Sequence, residues 1–462
     1  MEIFASKKRS ELVKNFAILL ILYFIPQVLI MNGVELSYDE AYYWMYSKFL
    51  DWGYYDHPPI VAISIWFGTL IFGDNEFGVR SIFMLYQMGT FYLLMKLIRP
   101  KKLVYMVCLF LAMPLLNLNG FVAIPDGPIM FFTTLFFYYI KRYLGEDNWQ
   151  SSLFLTLAIT LMFYSKYHGL LIVLLTTIAN PEFLKRKSFW VIVSGVIVLF
   201  MPHVYWQYKH NFVSFEFHLF KRVEKHFDIL NIFNYILSQI VLMGSLLWVL
   251  YYKLYPKLEK SKWNRILVFN TVGFLAFIFL MSFNKQIEAN WTGSCAIAFM
   301  LLFGSEIEKT KKAYLYLSLN IILLMMVKIT LIILPSLDSG EKYGRLNELI
   351  GWKGKLVPAI YNVCKGKKIV GDNYQITAKL SFYSKYMFPA LHLDSRESQY
   401  SILNLEKEIR PDEPICYLTS SKKHHDYILD TYYKDPIYIM SNTSLQALAE
   451  LYGTSYEEII RN

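Results

Sequence analysis

Residues 36–59 read LSYDEAYYWMYSKFLDWGYYDHPP, setting four acidic groups (Asp39, Glu40, Asp51 and Asp56) and His57 among Tyr and Trp directly after the first strongly apolar segment. Ser37 followed by Glu40 has the spacing of a capping box, which predicts a short helix with Asp39 in its first turn. A carboxylate there feels the positive end of the helix dipole, which favours the ionised form. Such a group, ringed by aromatics at a membrane surface, can serve as a catalytic base or a metal ligand. The alternative is purely structural: Asp39 and Glu40 cap an interfacial helix whose Tyr43, Trp44 and Tyr46 sit at headgroup level.

The setting supplied by the rest of the chain is a membrane. Its 462 residues are 55% hydrophobic and 18% aromatic but only 18% charged, too apolar for an ordinary soluble enzyme. The formal charge of +10 is concentrated in clusters between apolar segments. That is the pattern of cytoplasmic loops, with anionic headgroups as partners and no call for nucleic acid. Lys7, Lys8, Arg9 and Lys14 precede an apolar run that no small-residue cleavage site closes, which reads as an uncleaved first span. Cys108 and Cys295 lie in apolar segments as small core residues; Cys364 and Cys416 lie in the polar tail, where a bridge can form if the tail is outside the cytosol.

A spanning helix needs roughly 20 apolar residues. That ruler finds about eleven candidates, with up to thirteen conceivable: 16–31, 81–98, 103–118, 127–143, 152–164, 169–178, 189–205, 229–251, 266–281, 293–303 and 314–334. An inside N-terminus puts Arg99, Lys101 and Lys102, Lys141 and Arg142, Lys185 to Lys187, Lys253 to Arg265, and Lys309 to Lys312 on the cytoplasmic side. The first outer loop (33–76) then faces outward, and so does the tail from 335 to 462. Apolar runs at 368–370, 415–418 and 437–440 mark that tail as a small α/β domain beside a membrane domain of residues 1–334.

Each outward loop carries polar groups in an apolar-aromatic setting: Pro125, Asp126 and Gly127; Ser165, Lys166, Tyr167 and His168; His203, Trp206, His210 and Asn211; Lys285, Glu288, Asn290 and Trp291. Ionisable groups near membrane depth are costly and functional by default, although Lys221, Arg222 and Lys225 read better as snorkelling anchors. Carboxylates (Asp39, Asp126) with cations (His57, Lys166) suit group transfer from a phosphate-bearing donor: cations hold the phosphate and a carboxylate takes the proton of the attacking hydroxyl. Nucleotide donors are absent outside the cytosol, so that donor would be lipid-linked.

Taken in order, SYDEAYYW, LDWGYYDHPPIVA, FGDNEFGVR, AIPDGPIMFF, YSKYHGLLI, PHVYWQYKHNFVSFEF and QIEANWTGS resemble the GT-C membrane glycosyltransferases, closest to the bacterial branch that groups aminoarabinose lipid A transferases with protein O-mannosyltransferase-like proteins. GWKGK, DNYQITAKLSFY and DSRESQY extend the likeness into the outer domain. The resemblance implies a GT-C architecture and Asp39 as catalytic base with Glu40 as neighbour. It implies Asp126 as the second acidic residue, positioning the acceptor or a divalent metal. The aminoarabinose transferases carry Lys before their paired prolines where this chain has His57. Lys166, or Arg80, would then supply the lasting charge at the donor phosphate. Tyr55, Asp56, His168, Asn290 and Trp291 are the expected substrate contacts.

The expected activity is transfer of one sugar, with inversion, from a polyprenyl-phosphate donor to lipid A or another envelope glycolipid. It would take place on the outer face of the bacterial plasma membrane, by a monomer among membrane lipids. A protein acceptor would use the same chemistry. A transporter of lipid-linked saccharides is the rival of another class, but such proteins place their ionisable residues near the bilayer midplane.

Overall fold

The structure, a computed structural model, describes residues 20–221, 229–283, 287–337, 344–422, 425–429 and 436–460. Lys285, Arg222 and Lys225 lie outside the described residues. Contacts divide the chain into two compact units. One comprises Met1–Ile30, His57–Ser64 and Arg80–Ile329; the other comprises Met31–Asp56, Ile65–Val79 and Thr330–Asn462.

The first unit is helical. Asp126–Gly145 and Trp149–Ser165 pack side by side, and Lys187–Lys209 packs on the latter. Gly293–Glu308 is apolar on every side and buried along nearly its whole length, as expected of a helix enclosed by others. Tyr105, Leu109, Phe136, Phe137, Met162, Ala296 and Phe299 belong to one continuous core.

Among the described residues four helices are long and apolar enough to cross a membrane: Glu76–Ile98, Lys187–Lys209, Lys262–Met281 and Ala313–Ser336. A fifth span results if Ile21–Gly33 and Tyr38–Lys48, separated by a bend, are counted together. The expected count of eleven is therefore not reproduced by helix length and composition, and the breaks have local causes. The run 103–118 divides into Leu103–Leu111 and Pro114–Leu118, because Pro114 has no N–H to continue the ladder. The run 229–251 stops at Leu242 and turns at Gly244, whose φ of 88° suits only a residue without a Cβ. Asp126–Gly145 is continuous over 20 residues but carries Asp126, Lys141 and Arg142.

The second unit contains a four-stranded sheet of order β1-β2-β4-β3, from Lys368–Gly371 (β1), Ile415–Thr419 (β2), Tyr427–Leu429 (β3) and Ile437–Thr443 (β4). β1 and β2 are parallel, joined by a connection that includes helix Tyr374–Ser384; β4 is antiparallel to both β2 and β3. The three apolar runs expected to be strands are β1, β2 and β4. Cys364 and Cys416 form a disulfide across this core, with Cα atoms 5.4 Å apart.

Most of residues 33–76, expected to form the first outer loop, belong to this same unit, His57–Ser64 excepted. Tyr38–Lys48 lies along Tyr374–Ser384, joined by Trp44 against Phe382 at 5.1 Å and Tyr42 against Tyr374 at 4.5 Å. The aromatic density of 42–46 thus packs against the α/β tail. The expected division at residue 335 would place this loop helix and the residues that bury it in different domains, whereas both lie in one compact unit.

Candidate functional site

Asp126 is the first residue of its helix, and Lys166 caps the C-terminus of Trp149–Ser165. Two neighbouring antiparallel helices bring the start of one beside the end of the next, so residues 40 apart meet. Lys166 Nζ donates to both carboxylate oxygens of Asp126 at 2.9 Å, with side-chain exposures of only 7% and 3%. Asn290, in the turn before Gly293–Glu308, donates its amide to Asp126 Oδ2 at 2.8 Å. Gly293 makes that approach possible, since a Cβ there would press on Met130 Sδ at 3.0 Å. Trp291, buried, faces the His168 ring at 5.4 Å. Asp126, Lys166, His168, Asn290 and Trp291 therefore form one cluster in the first unit.

The half-buried His57 has its ring 6.0 Å from that of His218. His218 adjoins Tyr167 at 5.6 Å, and the Tyr167 hydroxyl pairs with His203 Nε2 at 3.1 Å and accepts from Gln207 at 3.0 Å. Gln207 also donates to Ser214 Oγ at 2.7 Å. Arg80 is almost wholly buried in Glu76–Ile98.

In the second unit the capping box is present as expected: the Glu40 carboxylate accepts from Ser37 N at 2.9 Å and Ser37 Oγ accepts from Glu40 N at 3.3 Å. Glu40 is thereby committed to the cap, whereas the exposed Asp39 sits in the first turn, at the positive end of the helix dipole. Asp56 accepts from Arg396 at 3.1 Å and from the Tyr46 hydroxyl at 3.2 Å. Tyr55 donates its hydroxyl to Glu397 at 3.1 Å and its backbone N–H to Gln399 at 2.8 Å. The Arg396 guanidinium lies 4.3 Å over the Tyr374 ring. Burial raises the Tyr374 phenol well above its ordinary range; Arg396 opposes that rise, while the Asp39 and Asp56 carboxylates add to it. Asp39, Asp56 and Arg396 therefore act on one aromatic cluster. Among the described residues no three His, Cys, Asp or Glu side chains gather as a metal-binding group.

Arg396, Tyr374, Gln207, Ser214 and His218 were not singled out from the sequence. The segment DSRESQY marked the neighbourhood of Arg396 but gave no sign that its guanidinium meets Asp56, 340 residues earlier.

The fold is similar to that of a solved protein, ArnT. It matches ArnT from Cupriavidus metallidurans in the apo state with a TM-score of 0.68 at 10% identity, over 94% of this chain and 98% of that one. The same protein bound to undecaprenyl phosphate matches with a TM-score of 0.65 at 11% identity, over 93% of this chain and 97% of that one. Residues 56–206 match the family described as dolichyl-phosphate-mannose-protein mannosyltransferase. A lipid A galacturonosyltransferase, RgtD of Rhizobium johnstonii, is 26% identical over 194 residues. That match covers 39% of this chain and 40% of the relative's length.

Proposed function

We propose that the protein is a membrane glycosyltransferase that moves one sugar from a polyprenyl-phosphate donor to lipid A or another envelope glycolipid, with inversion at the anomeric carbon. The observation that carries this reading is the buried Asp126–Lys166–Asn290 constellation, set within a GT-C fold whose solved representative binds undecaprenyl phosphate. The lipid A relative supports the acceptor class. The disulfide in the tail supports an extracytoplasmic face, because such bonds persist outside the reducing cytosol.

In this reading the acceptor hydroxyl oxygen attacks the anomeric carbon, the bond from that carbon to the phosphate oxygen breaks, and polyprenyl phosphate leaves as an anion. No general acid is needed. Asp39 takes the hydroxyl proton, Asp126 with Asn290 orients the acceptor, and Lys166, His57 and Arg80 contact the donor phosphate. Two N–H groups of Lys166 face Asp126, which leaves the third for phosphate. Tyr55, Asp56, His168 and Trp291 line the substrates. If the acceptor nucleophile is itself a phosphate, no base is required and Asp39 orients it.

A protein acceptor is the second reading, favoured by the description of the family matched at 56–206. Mass spectrometry of envelope lipids and glycoproteins from cells with and without the chain separates the two. A glycan lost from lipids alone supports the first; one lost from proteins alone refutes it. Reconstituted carrier movement with no sugar transferred would refute both.

A further inference from the structure

Lys328 lies in the most apolar of the candidate spans, Ala313–Ser336, and is wholly buried. Its Nζ has no hydrogen-bond partner; its contact is the face of the Tyr23 ring, 5.2 Å from the centroid. Tyr23 in turn anchors a polar cluster inside the helical unit. Its hydroxyl donates to Gln87 Oε1, which also accepts from Gln27 Nε2 at 3.2 Å, and Gln27 donates to the Asn117 carbonyl at 3.3 Å. The cluster closes tightly: a Cβ at Gly120 would overlap Gln87 Oε1 and touch Gln27 Nε2. Two acceptors in it, Gln27 Oε1 and Asn117 Oδ1, are also unsatisfied.

Gln87 stands 11 residues into Glu76–Ile98, about 16 Å from that helix end at the usual rise per residue, and so about midway through a hydrocarbon core. Buried polar atoms are nearly always paired, and a concentration of orphans marks an unfilled partner. A lone ammonium at this depth costs more than one aromatic face returns, and among the described residues no carboxylate is paired with it. Tyr23, whose ring carries the ammonium, and Gln87 also line a cavity of about 100 Å³ together with Phe24, Met88, Phe91 and Phe110. Met88 is exposed on the outer surface of the helices, the surface that meets lipid tails. The lining is aromatic and apolar except for the Tyr23 hydroxyl and the Gln87 amide; Tyr23 adjoins the ammonium, and Gln87 adjoins the Gln27 amide.

We propose that this is a lipid-phosphate site: a phosphate-bearing headgroup pairs with Lys328, its hydroxyl hydrogens go to the free amide oxygens, and its chain leaves through the aromatic cavity. The phosphate can come from a polyprenyl phosphate or from an anionic glycerophospholipid. The site shares no residue with the transfer chemistry proposed above, so either proposal can fail alone.

The test compares full-length protein with Lys328→Met, Lys328→Arg and Phe91→Trp. Retained lipid is measured by native mass spectrometry, and delipidated samples are melted with added farnesyl phosphate, phosphatidylglycerol or diacylglycerol. Wild type should hold about one phosphate lipid and melt higher with one of the two phosphate probes but not with diacylglycerol. Lys328→Met and Phe91→Trp should lose at least five-fold in occupancy, while Lys328→Arg keeps it. The probe that stabilises wild type over Lys328→Met names the source. Equal stabilisation of wild type and Lys328→Met, or none of wild type by either phosphate probe, overturns the site. Should Lys328→Met fail to fold, Phe91→Trp and the wild-type titration decide the matter.

Discussion

The Asp126–Lys166 pair offers the sharpest test of the functional cluster. Replacing Lys166 by Met strips a buried carboxylate of two charged hydrogen bonds and leaves it, among the described residues, the Asn290 amide at 2.8 Å. With side-chain exposures of 7% and 3%, solvent cannot substitute, and breaking such a pair costs about 3–5 kcal/mol. Asp126→Asn strands the ammonium instead and should cost a similar amount. The double variant strands neither charge, so it should recover most of the loss, giving a coupling energy of about 3 kcal/mol between the sites. In thermal melts of detergent-solubilised protein each single variant should fall by on the order of 5–10 °C, with the double variant returning more than half of that. Transfer should stay lost in the double variant although it folds, because the cluster proposed to meet the substrates is gone. Melting shifts of the two single variants that simply add in the double would refute the coupled pair. A double variant that transfers sugar normally would refute its functional role.

Three further outcomes are expected. Asp39→Asn should lower transfer by about two to four orders of magnitude with insertion unchanged, whereas Glu40→Gln keeps its capping box and most activity; comparable losses in both variants would undo the assignment. Arg396→Ala removes the partner of Asp56 and the cover of Tyr374, and should raise the apparent KM for the acceptor by about ten-fold with Asp39→Asn-type loss of kcat absent; an unchanged KM counts against a substrate role for that cluster. Burial pushes the Glu406 carboxyl up to about 7, so the folded tail holds a proton that the unfolded chain releases above its ordinary range of about 4.3, and stability falls as pH rises through that interval. Glu406→Gln should therefore stabilise the tail by about 1–2 kcal/mol at pH 8 and leave it unchanged at pH 4, as read by hydrogen exchange at β2 and β4; a gain independent of pH would exclude titration as the cause.

How far the sequence could be read depended on how far apart the interacting groups lie in the chain. The capping box at Ser37 and Glu40 was legible because its partners are three residues apart, and the strands at 368–371, 415–419 and 437–443 were legible because apolar runs between turns report burial directly. Asp126 and Lys166 were both named, yet their direct contact was not, since only the pairing of two antiparallel helices sets it. Pro114 and Gly244 were visible as helix breakers, but counting apolar residues is blind to backbone, and so continuous spans were expected where the ladder stops. Lys328 shows the same blindness from the other side. One cation within a run of Ile, Leu and Met barely lowers the mean hydropathy of its span, so the residue that costs that helix most was the easiest to pass over. Such a charge persists in a membrane only if something offsets it, and among the described residues the contact it makes is the face of the Tyr23 ring.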